Sequence, residues 1–307
     1  MAGEAQASTG RVGDAVFAGI ARGSGIIILL VLAGVGLFLL QQGLPALDNS
    51  GNSAYGKDSI WGFVWPLLFG TLLASVIAMI IAAPLSIGVA LIISHYAPRP
   101  IAKVLGWLID LLAAIPSVVY GLWGIQFLAL NMVPIYKWLE EHANWIPLFE
   151  GPVPNSGRTM FTAGIVLAVM AMPIITAICR EIFAQTPLTH QEAAYALGAT
   201  RWEMIRLAVF PYARSGMISA VLLGLGRALG ETMAVALVLA PSLLVSFNLI
   251  TAEQSSSTIA ANIALNFGNA SGSKIETLIF SGLVLFLITF AVNFIGRSIA
   301  ARGLVKG

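Results

Sequence analysis

Charged side chains are scarce in this sequence. Asp, Glu, Lys and Arg together make up 10% of the 307 residues, whereas an ordinary soluble protein has about 25%. Hydrophobic residues make up 58%, and the mean hydropathy is +0.90. A soluble domain must cover its surface with polar groups, and this chain has too few of them. The composition therefore excludes a disordered protein, a soluble enzyme and a nucleic-acid-binding domain as first interpretations.

Cysteine and histidine are also rare. The single cysteine, Cys179, excludes an internal disulfide framework and a Cys-rich metal site. The histidines, His95, His142 and His190, are too scattered in the sequence to suggest a metal site. We therefore predict no metal site, no catalytic residue and no cofactor in this chain.

The sequence also lacks the phosphate-binding loop G-x-x-x-x-G-K-[ST] that holds ATP in many proteins. The nearest match runs from Gly268 to Lys274 and lacks the Gly-Lys-Ser/Thr order. Any ATP hydrolysis that drives this protein therefore has to come from another chain.

Long apolar runs are what the sequence has instead. A helix that crosses a bilayer needs about 20 mostly apolar residues. Six stretches qualify: Gly25–Gln41, Val64–Ser94, Val104–Leu130, Phe161–Phe183, Ser215–Leu244 and Thr277–Ala300. The first also resembles a signal peptide, because Arg11 and Arg22 precede it, but it is long enough to span and no A-x-A cleavage site follows. We predict a retained helix and an all-α polytopic membrane protein with six transmembrane helices.

The basic residues indicate the orientation. Eleven of the 16 lie in the connections on one side of the predicted spans, four lie on the other side, and Arg227 lies within a span. Since basic residues favour the cytoplasmic side, both termini are predicted to be cytoplasmic. The chain then divides into a cytoplasmic segment 1–24 and a membrane domain 25–303, with outer loops near 42–63, 131–160 and 245–276. We expect a short helix near residues 135–142 in the second outer loop.

The cytoplasmic connection 184–214 has the strongest local pattern. Two Thr-x-x-Glu capping boxes predict two helix starts: Thr189 with Glu192, and Thr200 with Glu203. Gly198 lies between the helices, where a left-handed residue often ends a helix, and Pro211 is expected to end the second one. The pattern predicts a helix, a glycine turn and a second helix.

Three interpretations of this helix pair are open. It is an ordinary loop, a DNA-binding helix-turn-helix or a docking element for a cytoplasmic partner. The DNA interpretation is disfavoured because the pair lies between two apolar spans and has no basic face of note. Docking fits better, since Ala193, Ala194, Ala196 and Ala199 allow close backbone approach.

The segment Glu192-Ala-Ala, with Gly198 and Pro211 downstream, resembles the EAA loop of ABC-importer permeases. The resemblance implies the type I, MetI-like permease fold. It also implies that the first helix of the pair docks in a groove of an ATPase subunit. Glu192, Ala193, Ala194 and Gly198 would then act in coupling to that subunit.

Two charged residues stand within the predicted fifth span, in the sequence Gly224-Leu-Gly-Arg-Ala-Leu-Gly-Glu-Thr-Met. A charge at mid-bilayer costs roughly 2.5–3.5 kcal/mol, so such residues usually face a cavity or each other. Arg227 and Glu231 are four residues apart, which places them on one helix face where they can pair. They are either a structural ion pair or part of an anion pathway, since a guanidinium offers a planar fork of donors to an oxyanion.

The third span contains a second polar position, in the sequence Ala114-Ile-Pro-Ser-Val-Val-Tyr-Gly-Leu-Trp-Gly. Pro116 removes a helix hydrogen bond and frees a carbonyl. Ser117 and Tyr120 add hydroxyl groups beside it. This position lines a pathway or is only a structural kink.

Together the motifs of the third and fifth spans resemble the phosphate-specific branch of these permeases, and within it the PstC-type rather than the PstA-type subunits. The resemblance implies import of inorganic phosphate across the cell inner membrane. It implies a PstA-type second permease, an ATPase dimer that binds ATP and an external phosphate-binding protein as partners, besides membrane lipid, and no nucleic acid. Arg227 and Glu231 would then act in translocation. Sulfate or molybdate as the substrate, a gradient-driven transporter or channel, and a structural scaffold remain alternatives.

Overall fold

The computed structural model describes residues 7–48, 55–57, 59–239, 242–251 and 256–304, and these residues form helices and no strand. Parts of the predicted segments 1–24, 42–63, 215–244 and 245–276 lie outside the described residues. The α-helices are α1 (Ala7–Gly43), α2 (Pro45–Asp48), α3 (Ile60–Leu91), α4 (Arg99–Ala113), α5 (Ser117–Trp123), α6 (Ala129–Ala143), α7 (Met160–Ala184), α8 (Leu188–Ala196), α9 (Arg201–Met204), α10 (Phe210–Leu229), α11 (Met233–Val238), α12 (Ile259–Asn266) and α13 (Ser273–Leu304).

Short π-helical segments make some of these helices continuous. They are Ile92–Tyr96 after α3, Gly124–Leu128 between α5 and α6, and Ile205–Val209 between α9 and α10. Within the described residues, six helices are long and apolar enough to cross a membrane, which confirms the predicted number: Gly13–Leu47, Ile60–Tyr96, Ser117–Ala143, Met160–Ala184, Arg201–Leu229 and Ser273–Ala300.

The predicted third span, Val104–Leu130, is wrong in its bounds. It is divided between α4 and α5 by a break at residues 114–116. Pro116 explains the break, because it has no N–H and disfavours helical backbone at the residue before it. The spanning helix starts at Ser117 and runs to Ala143, so the short outer helix expected at residues 135–142 is the last part of this span.

The predicted fifth span, Ser215–Leu244, is also wrong in its bounds. The helix starts earlier, at Arg201, and ends at Leu229. Gly230 is its C-cap, and the chain then forms the separate short helix α11. The charged residues of this segment therefore lie at a helix end and not within a continuous helix.

Helix α7 lies at the centre of the bundle and packs against α3, α4 and α10. Three glycines allow the close approach: Gly164 of α7 against Ile77 of α3, and Gly216 and Gly224 of α10 against Ile182 and Ile175 of α7. A Cβ at any of them would overlap the facing isoleucine. Close backbone approach of this kind is how transmembrane helices gain packing energy without a hydrophobic driving force from water.

Helix α1 stands at the edge of the bundle. It packs against α13, where Gly36 faces the Phe286 ring and Gly43 approaches the backbone of Phe280. The most apolar stretch of the helix has no buried residue. Its side chains are therefore left for lipid or for another subunit to cover.

Residues 256–258 fold back against α3 at Gly70 and Thr71. The Thr71 hydroxyl of α3 accepts a hydrogen bond from the backbone N–H of Ile259 at 3.0 Å, which fixes the start of α12. The Ser257 carbonyl lies against Gly70, where a Cβ would overlap it. Gly70 is thus required for this contact.

Replacing Gly70 with alanine should lower the thermal midpoint of unfolding of the purified chain in detergent. Overpacking against a backbone carbonyl costs about 1–3 kcal/mol. Gly88→Ala is the matched control on the same helix, because nothing lies within 4 Å of a Cβ there. Equal midpoints for the two variants would contradict the contact between α3 and residues 256–258.

Candidate functional site at the end of α10

Helices α10, α11 and α5 meet beside the charged residues. Helix α10 ends, α11 follows, and α11 lies along α5. Two glycines permit this contact, one in α5 and one directly after it: a Cβ at Gly121 would overlap Ala234, and a Cβ at Gly124 would overlap Val166 and crowd Val238. The glycines of the third-span motif therefore allow α11 to pack closely against this part of the chain.

Glu231 caps the start of α11. Its carboxylate oxygen Oε1 accepts a hydrogen bond from the backbone N–H of Ala234 at 3.1 Å, and the residue is buried, with 8% of its surface exposed. A carboxylate is favourable there because the first N–H groups of a helix have no partner within the helix and carry partial positive charge.

The predicted ion pair between Arg227 and Glu231 is wrong. Arg227 and Glu231, which both belong to the described residues, form no ion pair with each other, whereas Arg180 pairs with Asp110 at 3.1 Å. The i,i+4 relation holds only within one helix, and α10 ends between the two residues. Arg227 is partly exposed and lies close enough to Tyr120 to interact with it electrostatically.

The hydroxyl groups of the third-span motif have separate positions. The Tyr120 hydroxyl donates a hydrogen bond to the Leu112 carbonyl of α4 at 2.8 Å, across the break at residues 114–116. It satisfies a carbonyl at the end of α4. Ser117 is the first residue of α5 and is partly buried. Arg227 therefore interacts electrostatically with Tyr120, while Glu231 accepts its hydrogen bond from α11.

Arg158 is a residue that the sequence interpretation missed. Its guanidinium donates to the carbonyls of Val238 and Leu239, each at 3.3 Å, at the end of α11. A cation there complements the negative end of the helix. Helix α11 thus has a carboxylate at its start and a guanidinium at its end. The partners are 80 and 81 residues away in sequence, so no local pattern signals them.

The predicted helix pair of the connection 184–214 is present as α8 and α9. Gly198 has φ +83° and nothing within 4 Å of a Cβ position, so its requirement is conformational. The Gly198 N–H bonds to the Tyr195 carbonyl and the Ala199 N–H to the Ala194 carbonyl, which is the Schellman arrangement of a glycine-terminated helix. Glu192 and Ala193 are both exposed.

Ala194 is buried, and α8 packs against the π-helical segment Ile205–Val209. The capping box at Thr200 is confirmed, because the Thr200 hydroxyl accepts from the Glu203 N–H and the Glu203 carboxylate accepts from the Thr200 N–H. The box expected at Thr189 is wrong. Helix α8 begins at Leu188, and its N-cap is Pro187, two residues before the expected cap and without a side-chain hydrogen bond.

Pro211 does not end the second helix, contrary to the sequence expectation. It lies in the first turn of α10, and the helix continues through it. The preceding turn is widened, with the Phe210 N–H bonded to the Ile205 carbonyl five residues back. Helices α9 and α10 thus form one rod from Arg201 to Leu229.

Among the described residues, no group of three or more His, Cys, Asp or Glu side chains is arranged to hold a metal ion. The chemistry that the site offers is therefore a partly exposed guanidinium beside a tyrosine, at the end of a long helix that begins beside the α8–α9 turn.

Comparison with known families decides the class of protein. The family described as the inner membrane component of binding-protein-dependent transport systems matches residues 82–302. The chain belongs to this family.

The curated relatives of this inner membrane component extend over nearly its whole length. It is 41% identical over 312 residues to the phosphate transport system permease protein PstC 2 of Mycobacterium tuberculosis, covering 97% of this chain and 94% of that protein. It is 41% identical to PstC of Xylella fastidiosa, covering 90% and 86%, and 36% identical to PstC of Pasteurella multocida, covering 97% and 96%.

Two solved structures share the fold of this inner membrane component. An inward-facing MetNI methionine ABC transporter has a TM-score of 0.51 at 16% identity, over 78% of this chain and 94% of that chain. A bacterial alginate ABC transporter in complex with its alginate-bound periplasmic protein has a TM-score of 0.52 at 16% identity, over 92% and 96%. The MetI-like permease fold is confirmed.

Removing the Glu231 carboxylate tests its capping role in this transport component. Glu231→Ala should destabilise the purified chain by about 0.5–2 kcal/mol, as loss of a capping oxygen does. Glu231→Gln should retain most of the stability, because its amide oxygen accepts the same hydrogen bond. Thermal unfolding in detergent measures both.

Arg227→Gln is the control for the alternative role. If Glu231 acts as a cap, this variant should unfold like the parent. If an ion pair with Arg227 stabilised the protein, Glu231→Gln, Glu231→Ala and Arg227→Gln would all lose stability alike.

Proposed function

We propose that this chain is one of two different permease subunits of an ATP-driven importer of inorganic phosphate. The observation that carries the proposal is the identity, over nearly the whole chain, with proteins named as phosphate transport permeases. The geometry at the end of α10 supplies a group suited to that substrate.

Arg227 is the proposed pathway residue. Its guanidinium is partly exposed, and no carboxylate of the described residues lies within ion-pair distance of it. A planar fork of donors binds a tetrahedral oxyanion through paired hydrogen bonds. Because Glu231 is committed to α11, it leaves the Arg227 charge available to a passing anion. Ser117 and Tyr120, at the start of α5, form the neighbouring wall of the proposed pathway.

The second permease subunit, of PstA type, would complete the pathway on the open side of Arg227. The ATPase dimer would bind ATP and dock on α8, where Glu192 and Ala193 are exposed. An external phosphate-binding protein would dock at the other ends of the spans. This arrangement places both termini in the cytoplasm of the cell, in agreement with the positive-inside rule.

One helix links the proposed docking site to the proposed pathway. Helix α8 packs against the segment Ile205–Val209, and this segment continues into α10 as far as Arg227. The distance along the helix from Val209 to Arg227 is about 27 Å, at 1.5 Å per residue. Movement of α8 by the ATPase would therefore move Arg227 as part of a rigid rod.

Replacing Gly198 with alanine should uncouple the ATPase from transport. A left-handed conformation costs alanine about 1–2 kcal/mol, so the turn between α8 and α9 should open. Uptake of labelled phosphate should fall at least about fivefold, the factor that corresponds to 1 kcal/mol. Gly198→Asn should lose less, because asparagine also occupies this position, and Gly88→Ala should transport normally. Normal uptake with Gly198→Ala would contradict the coupling role.

Replacing Arg227 tests the pathway. In cells that lack this chain, the parent sequence should restore labelled phosphate uptake, Arg227→Ala should abolish it, and Arg227→Lys should restore little, since an ammonium keeps the charge but not the planar fork. Arg297→Gln, which removes an exposed cation from α13, is the matched control. Copurification of the other subunits should be equal for all variants.

Competitors identify the transported anion. Unlabelled phosphate should block uptake, and sulfate and molybdate should not. Full inhibition by sulfate or molybdate would overturn phosphate as the substrate, and uptake that continues without ATP would overturn the ATP-driven mechanism. Normal uptake with Arg227→Ala would overturn its pathway role and leave the transport class unchanged.

A further inference from the structure

A cavity with a partly polar lining lies between α4, α7 and the π-helical segment Ile92–Tyr96 that follows α3. Its volume is about 360 Å³, and its polar lining consists of Ser94, Lys103, Asp110 and Arg180. Trp107 of α4 stands at its edge with 75% of its surface exposed. Neither the coupling helices nor the proposed pathway uses these residues.

The Arg180 guanidinium is held in a fixed position in this cavity. Its Nη2 atom donates to both carboxylate oxygens of Asp110, at 3.1 and 3.2 Å. Gly106 lies directly beneath it, and a Cβ there would overlap Nη1. The glycine thus permits the guanidinium to cross the surface of α4. The partner of Asp110 is on α7, 70 residues away in sequence, so no local pattern signals the pair.

The cavity has unsatisfied polar capacity and excess positive charge. Two cations, Lys103 and Arg180, face one carboxylate, which leaves one positive charge in excess. The Ser94 hydroxyl is buried and has no hydrogen-bond partner in the described structure. Since a buried hydroxyl without a partner costs free energy, these groups together indicate a ligand with anionic oxygens.

The surroundings of the cavity indicate where that ligand comes from. Next to this cavity, α4 exposes a run of large apolar residues: Ile101, Val104, Trp107, Leu108 and Leu111. An amphipathic helix with an exposed tryptophan and a basic side chain is typical of the headgroup region of a bilayer. A free inorganic anion would have no use for this apolar surface, whereas acyl chains would cover it.

We propose that this cavity binds the phosphate group of an anionic phospholipid. The phosphate oxygens would accept hydrogen bonds from Lys103, Arg180 and the Ser94 hydroxyl, and the acyl chains would lie along the apolar side of α4. Basic pockets between transmembrane helices bind anionic headgroups in this way. The bound lipid would hold α4 against α7.

Native mass spectrometry of the full-length chain in detergent tests the proposal. The chain should retain phosphatidylglycerol in preference to phosphatidylcholine. Lys103→Gln should weaken phosphatidylglycerol binding about fivefold, the factor for one basic side chain near an anionic lipid, and Lys103→Arg should restore it. Lys103 is exposed, so these variants should fold. Arg297→Gln, at a basic position on α13, is the matched control and should bind like the parent.

Three results would overturn the proposal. Equal retention of phosphatidylglycerol and phosphatidylcholine would show that the cavity does not select an anionic headgroup. An equal loss with Lys103→Gln and Arg297→Gln would show general surface attraction. Displacement of the lipid by millimolar inorganic phosphate would assign the cavity to the free anion. None of these results bears on phosphate uptake through Arg227.

Discussion

A helix end that water does not reach leaves its N–H and carbonyl groups without partners, and this constraint governs the breaks between the helices. The chain breaks its helices at residues 114–116 and again after Leu229. A polar side chain serves a free group at each of these ends: Tyr120 bonds to the Leu112 carbonyl, Glu231 to the Ala234 N–H, and Arg158 to the carbonyls of Val238 and Leu239. The polar residues that the sequence places in apolar segments are thus largely accounted for by capping.

This capping has a consequence for Arg227. A carboxylate four residues after an arginine in a continuous helix would neutralise it, and the pair would then be structural. Because the helix ends at Leu229 and Glu231 serves α11, the guanidinium has no carboxylate of the described residues as an ion-pair partner. The same break that satisfies α11 therefore produces the group on which the proposed anion pathway depends.

The sequence predicts the number of spans, the α8–α9 turn and the capping box at Thr200, because these depend on local composition and on residues three or four apart. It does not predict the bounds of the third and fifth spans, because hydropathy measures apolar content and does not detect a break within an apolar run. Arg158 and the pair of Arg180 with Asp110 were missed for another reason. Their contacts join residues 70 to 81 positions apart, and only the packing of the helices brings them together.

Pro211 was expected to end the second helix of the connection 184–214, but it lies within a continuous helix. A proline in a regular helix removes a hydrogen bond and clashes with the carbonyl four residues back. The widened turn Ile205–Val209 moves the hydrogen bonding to a five-residue spacing before the proline is reached, so the rod from Arg201 to Leu229 is not divided. The π-helical turn is also the surface on which α8 packs. The irregular turn that precedes Pro211 is therefore the same turn through which α8 would move α10.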